Sequence, residues 1–300
     1  MNYELAISEE VCIKEVLGRL FYSEGMVRQV GLFEDSLDVI LDDIFSLMRQ
    51  GKSLYQRWTQ KIDDKERHLS VPNKSLKRFF DSYLLSFIKQ QKVHEKCHGG
   101  EVRWSPKTSL ETHLPCENAF SFDISDAFRN TNFVKVFSYF YRRAELLGFH
   151  CEDCADVASI LALLTTVRYN CDRGLSVGSP ISMALFNRIM QPIDEKLDFK
   201  SKERGFRYSR WVDDFTISSQ CYNGLEQFLG SVDIVSEEFP ISKEKIFFQN
   251  SDKIYLLGHK IINGKILEKN IKDERLKNKN SPINFYEWFD NKTKNYDSWV

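Results

Sequence analysis

The sequence lacks an excess of charge of either sign. Its 42 Lys and Arg face 43 Asp and Glu, for a net charge of −1. A chain that coats polyanions broadly is usually basic, so this balance weighs against an overall electrostatic grip on nucleic acid and leaves such contact to local patches. A long apolar run is also missing. The longest, Ala155 to Val167, carries Asp156 and two Thr and is too short to cross a bilayer, so no membrane partner is expected. The start, MNYELAISEEVCIKEV, is acidic and amphipathic and has no apolar core of the kind a signal peptide needs. Without an export signal, seven Cys, an odd number, point to reduced thiols in a cytosol. No fixed-period repeat is visible, which excludes a solenoid.

What is present can bury a sizeable core. The chain has 300 residues, of which 42% are hydrophobic, with 23 Phe and 12 Tyr. That length allows one large domain or two small ones. Residues 260–280 hold Lys260, Lys265, Lys269, Lys272, Arg275, Lys277 and Lys279 against Glu268, Asp273 and Glu274. This local cationic excess reads either as a solvated segment or as a phosphate-contacting surface.

Apolar spacing predicts helices over much of residues 1–60, clearest in Leu32 to Met48. Residues 61–77 fit a strand or hairpin with exposed cations, and Leu76 to Gln91 a helix. Residues 92–118, rich in His, Gly, Pro and Ser, read as loop. Ala119 to Phe122 is a short apolar run that ends on Asp123, as a buried strand would. Helices are expected over Asn132 to Gly148, Asp153 to Tyr169 and Ile181 to Leu197, with a turn at Gly174 to Pro180. Phe206 to Ser218 reads as two short strands around an Asp pair, and Gly224 to Phe239 as a helix. Ile254 to Ile262 reads as a strand pair with Asn263-Gly264 as its turn. This order predicts an α+β domain, helices packed on one face of a small antiparallel sheet.

The informative feature is a set of carboxylates. Asp213-Asp214 sits in a tight turn flanked by Trp211-Val212 and Phe215-Thr216-Ile217, and Asp123 lies within the apolar stretch Phe120 to Phe128. Asp is common in turns, so a bare pair carries little weight. Adjacent charges inside an apolar hairpin are costly unless something pairs them. Polymerisation of nucleotides needs two divalent cations about 3.5–4 Å apart, held by hard oxygen ligands on rigid elements.

These segments resemble reverse transcriptase motifs in family order. Phe122-Asp123-Ile124-Ser125-Asp126-Ala127-Phe128 resembles motif A, and Gly174-Leu175-Ser176-Val177-Gly178-Ser179-Pro180-Ile181-Ser182, followed by Asn187, motif B. Tyr208 to Thr216 resembles motif C, Ile241-Ser242-Lys243-Glu244-Lys245 motif D, and Leu256-Leu257-Gly258-His259 motif E. Arg67 to Lys77 is similar to the fingers segment of bacterial retron-like enzymes. The resemblance runs over residues 65–262 and implies a right-handed polymerase of palm and fingers with a reduced thumb. Its divisions would be an N-terminal helical segment (1–60), fingers (61–118), a palm with inserted helices (119–262) and a short basic thumb-like segment (263–300).

The resemblance also implies roles. Asp123 and Asp213 would hold two Mg²⁺ ions (Mn²⁺ being the substitute), with Asp214 close by and the Ile124 carbonyl completing one site. Asp126 reads equally as a hydrogen-bonding or a structural residue. Phe128 would be a steric gate favouring deoxynucleotides, or else a core Phe, and Ala127 would admit the sugar. Arg67, assisted by Lys65, would contact the triphosphate; a surface strand residue is the alternative. Lys245 is a candidate general acid for pyrophosphate departure, or a surface lysine. Gly178 would open a turn before the following helix. Val177 stands where the family has a Gln that touches the incoming nucleotide. Trp211, Leu257, Gly258, Lys260 and Lys265 would lie on the primer and nucleic-acid side. The implied partners are dNTPs, a non-coding RNA as template or scaffold, a DNA product or primer, and an oligomeric copy or companion protein to supply grip, in bacterial phage defence. The rival functions are template-independent or protein-primed DNA synthesis and a catalytically silent RNA-binding subunit. A weaker pattern, His94-x-x-Cys97-His98 with His150-Cys151-x-x-Cys154, has spacing that zinc accepts and reads otherwise as plain thiols.

Overall fold

The computed structural model describes residues 7–22, 36–62, 65–101, 104–170, 172–221, 226–249, 253–262 and 264–267. Most of the basic stretch, Trp288 and Trp299 lie outside the described residues. In chain order the elements are α1 (Ile7–Tyr22), α2 (Leu37–Arg49), the ribbon strands β1 (Tyr55–Ile62) and β2 (Lys65–Pro72), α3 (Lys74–Phe79), a π-helical turn, α4 (Leu85–Gln90) and α5 (Pro106–Glu111). Then follow β3 (Asn118–Asp123), α6 (Ala127–Asn130), α7 (Phe133–Leu146), α8 (Cys151–Thr165), β4 (Thr166–Tyr169), β5 (Asp172–Leu175), α9 (Ser182–Ile189) and α10 (Gln191–Glu203). The last are β6 (Arg207–Trp211), β7 (Asp214–Ser219), α11 (Glu226–Ser236), β8 (Phe247–Gln249), β9 (Lys253–Leu256), β10 (His259–Ile262) and β11 (Lys265–Leu267).

The chain forms two compact units: residues 1–93 with 126–191, and residues 94–125 with 192–300. In the first, helices begin where side chains can cap them. Ser36 accepts the Val39 N–H at the start of α2, whose Leu37, Ile40, Leu41, Ile44 and Phe45 fall on one buried stripe. Asn132 caps α7 in the same way and its stripe is Val136, Tyr139, Phe140 and Ala144. Phe21 packs edge-on to Phe79 and Phe87, with ring centroids 5.7 Å apart in each case. The β1–β2 ribbon is antiparallel from Tyr55↔Pro72 to Ile62↔Lys65.

The second unit is built on an antiparallel sheet in the order β6-β7-β3-β8. β3 is central and is buried on both faces except at Ser121. The Phe122 and Phe215 rings stack across the β3–β7 pair at 4.7 Å, a contact worth ~0.5–1.5 kcal/mol beyond area burial. A smaller sheet, β11-β10-β9, packs through Ile254, Leu256 and Ile261 against Leu110 of α5 and Ala119 of β3.

Three expectations need correction. Residues 92–118 are not all loop: α5 starts on a capping box between Ser105 and Thr108, with Pro106 in its first turn. The helix expected to reach Tyr169 stops at Thr165. There the β-branched run Thr165-Thr166-Val167 turns to strand, while both threonine hydroxyls still donate to helix carbonyls, at Leu161 and Ala162. Asn263-Gly264 is not the turn within Ile254 to Ile262. Leu257 and Gly258, both at positive φ, join β9 to β10, and the later turn joins β10 to β11 through Ile262↔Lys265.

Candidate active site

Asp123 ends β3 directly opposite Asp214, the first residue of β7. Asp213 immediately precedes Asp214, in the two-residue β6–β7 turn that Trp211↔Asp214 closes. The first residue of that turn, Val212, has φ +60. A β-branched side chain is poorly tolerated there, a strain of about 1–3 kcal/mol, and glycine is the usual occupant of such a position. Main-chain bonds tie the three segments together. The Ile124 N–H donates to the Asp213 carbonyl (3.2 Å), the Ser242 N–H to the Asp123 carbonyl (2.9 Å), and the Ser125 N–H to the Pro240 carbonyl (2.8 Å). A 3-10 turn at Lys243–Lys245 follows, and the Lys245 ammonium donates to Asp123 Oδ2.

Asp123 is buried, and its Oδ1 has no hydrogen-bond partner among the described residues. Burial, and then the charge of Asp213, push its carboxyl up to about 7, with Asp214 adding to the effect. The Lys245 hydrogen bond pulls the other way and is outweighed, because one ammonium faces two further carboxylates. For Lys245, burial favours the neutral amine. The Asp123 bond and the charges of all three carboxylates more than offset this and raise its pKa, so it stays protonated.

This donor set matches hard divalent cations in chemistry. It offers carboxylates from adjacent strands, an orphaned buried oxygen, and mutual repulsion that a cation would relieve. As the side chains stand, no group of three or more His, Cys, Asp or Glu among the described residues closes around a point that could hold a metal ion. That holds for the three aspartates, where an ammonium occupies the Asp123 carboxylate. It holds equally for the described His and Cys of the sequence's zinc-like pattern.

Beside the turn lies a polar group that composition and spacing do not reveal. Arg210 and Asp194 are both fully buried. The Arg210 Nε donates to Asp194 Oδ1 and its Nη2 to Oδ2, both at 2.7 Å, and its Nη1 donates to the Val212 carbonyl at 2.6 Å. The Tyr208 hydroxyl donates to Asp194 Oδ1 at 2.6 Å, and burial raises its pKa far enough to keep it a donor. Removing one partner of such a pair would strand the other at a cost of ~3–5 kcal/mol. Residues 96–99 run along the other side of Arg210. Its N–H donates to the Lys96 carbonyl and its carbonyl accepts from His98, each at 2.8 Å. A Cβ on Gly99 would collide with the Val212 backbone nitrogen and lie 2.7 Å from its Cγ2. His113, wholly buried, bridges the Ser209 and Ser218 hydroxyls of β6 and β7 at 2.7 Å each. Arg210 falls inside the motif C match. Asp194 sits in a helix and Gly99 in a loop, so neither carries a sequence signal.

The primer-side residues of this unit are also placed. Trp211 is half-buried at the end of β6. Leu257 and Gly258 form the β9–β10 turn. Lys260 lies over the Tyr255 ring at 5.5 Å, and Lys265 is exposed on β11.

Apart from Lys245, the expected nucleotide contacts fall in the first unit. Arg67 is exposed on β2 opposite Gln60, and Lys65 pairs with Ile62 at the ribbon tip. Asp126 is exposed at φ +44, where it turns the chain into α6. Ala127 is buried, and Phe128 packs edge-on to Phe186 with centroids 5.6 Å apart. The Val177 carbonyl accepts the Ser70 N–H at 2.7 Å. Gly178, at φ +107, lies so close to β2 that a Cβ would meet Val71 Cγ2 at 3.0 Å.

Comparison with known proteins agrees with this geometry. The retron Mx65 reverse transcriptase of Myxococcus xanthus is 26% identical over 195 residues, which are 60% of this chain and 44% of the relative. The retron Mx162 reverse transcriptase of the same organism is 25% identical over 179 residues, 55% of this chain and 35% of the relative. The matched stretch thus spans less than half of each curated relative. Among solved structures, apo telomerase from Candida tropicalis, truncated from its C-terminal domain, superposes with a TM-score of 0.51 at 14% identity, over 72% of this chain and 55% of that one. The BmCPV RNA-dependent RNA polymerase in its quiescent state gives 0.51 at 13% identity, over 85% of this chain and 27% of that one. These likenesses support the α+β palm and fingers of a right-handed polymerase. The family model described as reverse transcriptase (RNA-dependent DNA polymerase) matches residues 60–261. Strand-paired Asp123 and Asp214, with Asp213 in the adjoining β6–β7 turn, therefore sit within a matching stretch of about two thirds of the sequence, and the chain belongs to the reverse transcriptase family.

Proposed function

We propose that the chain is an RNA-directed DNA polymerase that joins a primer 3′-hydroxyl (or a protein hydroxyl) to the α-phosphate of a deoxynucleotide and releases pyrophosphate. The observation that carries this reading is the facing of Asp123 and Asp214 across β3–β7, with Asp213 in the adjoining turn and one Asp123 oxygen buried without a hydrogen bond. Two Mg²⁺ ions, bound by Asp123, Asp213, Asp214 and the Ile124 carbonyl, would supply charge neutralisation and alignment of the reacting oxygens. The chain's own contribution is positioning. β3 and β7 fix the carboxylates on a rigid, buried sheet, and the bonds from Ile124 and Ser242 hold the turn and motif D against it. Lys245 is protonated and within reach of Asp123, so it can serve as the proton donor to departing pyrophosphate once it leaves that carboxylate. In this reading Arg67 and Lys65 contact the triphosphate, Ala127 and Phe128 lie against the sugar, and Val177 and Gly178 against the base. Trp211, Leu257, Gly258, Lys260 and Lys265 follow the primer side. The likeness to retron reverse transcriptases supports an RNA template; that this template is a non-coding RNA and that the chain acts in phage defence are part of the proposal.

The test uses purified protein, dNTPs and Mg²⁺, with and without ribonuclease. DNA synthesis that stops on ribonuclease treatment, and that Asp213→Asn or Asp214→Asn lowers by at least about 10³-fold, is the expected result. Synthesis that survives complete RNA removal would point to the template-independent or protein-primed alternative. Synthesis unchanged in both variants would remove the carboxylates from catalysis.

A further inference from the structure

The Val212-Asp213 turn is held in a conformation that its sequence resists. Val212 is β-branched and sits at φ +60. Left to itself it would relax to negative φ, and the peptide between Val212 and Asp213 would rotate with it. That rotation would carry away the Asp213 carbonyl, which accepts the Ile124 N–H, and redirect the Asp213 side chain.

A turn carbonyl such as that of Val212 has no place in the strand ladder. Here it accepts from a guanidinium that has no exposed surface and that Asp194 grips at two other nitrogens. The fork shape matters. Three nitrogens donate in one plane, two to a carboxylate and one to the turn, which a lysine ammonium cannot reproduce. The strand residue itself is locked by the Lys96 and His98 main-chain bonds, and Gly99 closes against Val212 where any side chain would collide. Stability alone does not call for this arrangement, because apolar side chains of similar volume commonly replace a buried ion pair without loss. What apolar side chains cannot supply is a directed donor to the Val212 carbonyl.

We propose that Arg210 is a positioning residue: braced by Asp194, it clamps the Val212 carbonyl, keeps the turn in its strained form and so fixes the aim of Asp213. The proposal rests on the polymerase reading for its consequence, though not for its geometry.

The test replaces the buried pair without leaving a charge behind, in the triple variant Asp194→Leu, Tyr208→Phe, Arg210→Met. This protein is expected to keep its thermal midpoint to within about 5 °C. Its amide hydrogen exchange should rise selectively at residues 211–215, with the β9–β10 pair unchanged. Nucleotide addition should slow on the order of 100-fold through kcat, with little change in the dNTP KM. Adding Val212→Gly to the triple variant, which removes the resistance to positive φ, should recover most of that rate. Arg210→Lys is the second variant should the triple fail to fold, with the same selective exchange expected. Protection at 211–215 equal to wild type, a uniform rise across the sheet, or no recovery on Val212→Gly would each overturn the brace. A wild-type protein that adds no nucleotide would instead fail the polymerase reading, and the exchange measurement would still decide the brace.

Discussion

His113 shows how a single side chain can tie the stability of the palm-like sheet to pH. It is wholly buried, bridges Ser209 and Ser218, and has its pKa lowered to about 3, first by burial and then by the charges of His98, Arg207 and Lys96. An unfolded histidine titrates near 6.5, so between pH 6.5 and 3 the unfolded chain binds a proton that the folded chain refuses. Stability is therefore full above 6.5 and falls as pH drops through this window, by ~1.4 kcal/mol per unit from this one group. Urea midpoints taken from pH 7.5 down to 5 should fall steeply in the wild type and more gently in His113→Gln, which keeps polar contacts without a titrating ring. Equal slopes in the two proteins would show that His113 is not the group that titrates.

At the scale of elements, much of the site was legible, for a physical reason. β3 and the β6–β7 hairpin are apolar runs interrupted by charge, and Asp123, Asp213 and Asp214 stand out because such placement is costly without compensation. The register that sets Asp123 opposite Asp214 was not legible, because strand pairing over a separation of about 90 residues is decided by the fold. Nor was Asp194, one of four acids in the polar helix α10, or α5, a single capped turn and a half within a Gly- and His-rich stretch. The β1–β2 ribbon was legible only in part: β2 falls in the stretch expected as a strand or hairpin with exposed cations, whereas most of β1 lies in residues expected to be mostly helical, and the ribbon's register now separates two arginines. Arg57 shares a face with Thr59, whose hydroxyl meets the ring of His68 at 2.9 Å. Arg67, next to His68, points to the other face. If Arg67 grips the triphosphate, Arg67→Ala should raise the dNTP KM about tenfold, the worth of one charge-assisted contact, while Arg57→Ala should leave it near wild type. Steady-state kinetics of the two variants decide this. Equal effects would assign both to the stability of the ribbon.

At the scale of the whole molecule, the two compact units are not consecutive in sequence. The chain passes between them after residues 93, 125 and 191, so neither unit is one uninterrupted segment. β3, the central strand of the β6-β7-β3-β8 sheet, lies in residues 94–125, whereas its neighbours β7 and β8 come from beyond residue 191. A fragment of residues 126–300 would thus carry both neighbours and lack the strand between them. The backbone donors and acceptors of β7 and β8 that face β3 would lose their partners, and Phe215 would lose the stacked ring of Phe122. Loss of a central strand exposes an apolar sheet interior on two edges at once, set against a total stability of only ~5–15 kcal/mol for an ordinary domain. Residues 126–300 expressed alone are therefore expected to be unfolded or aggregated by far-UV circular dichroism and gel filtration. Co-expression with residues 1–125, which return β3 and the 96–99 segment beside Arg210, is expected to give a soluble complex that unfolds cooperatively. A cooperative thermal transition from residues 126–300 alone would mean that the sheet does not depend on β3, and with it that Asp123 is not fixed by the strand pairing that sets it opposite Asp214.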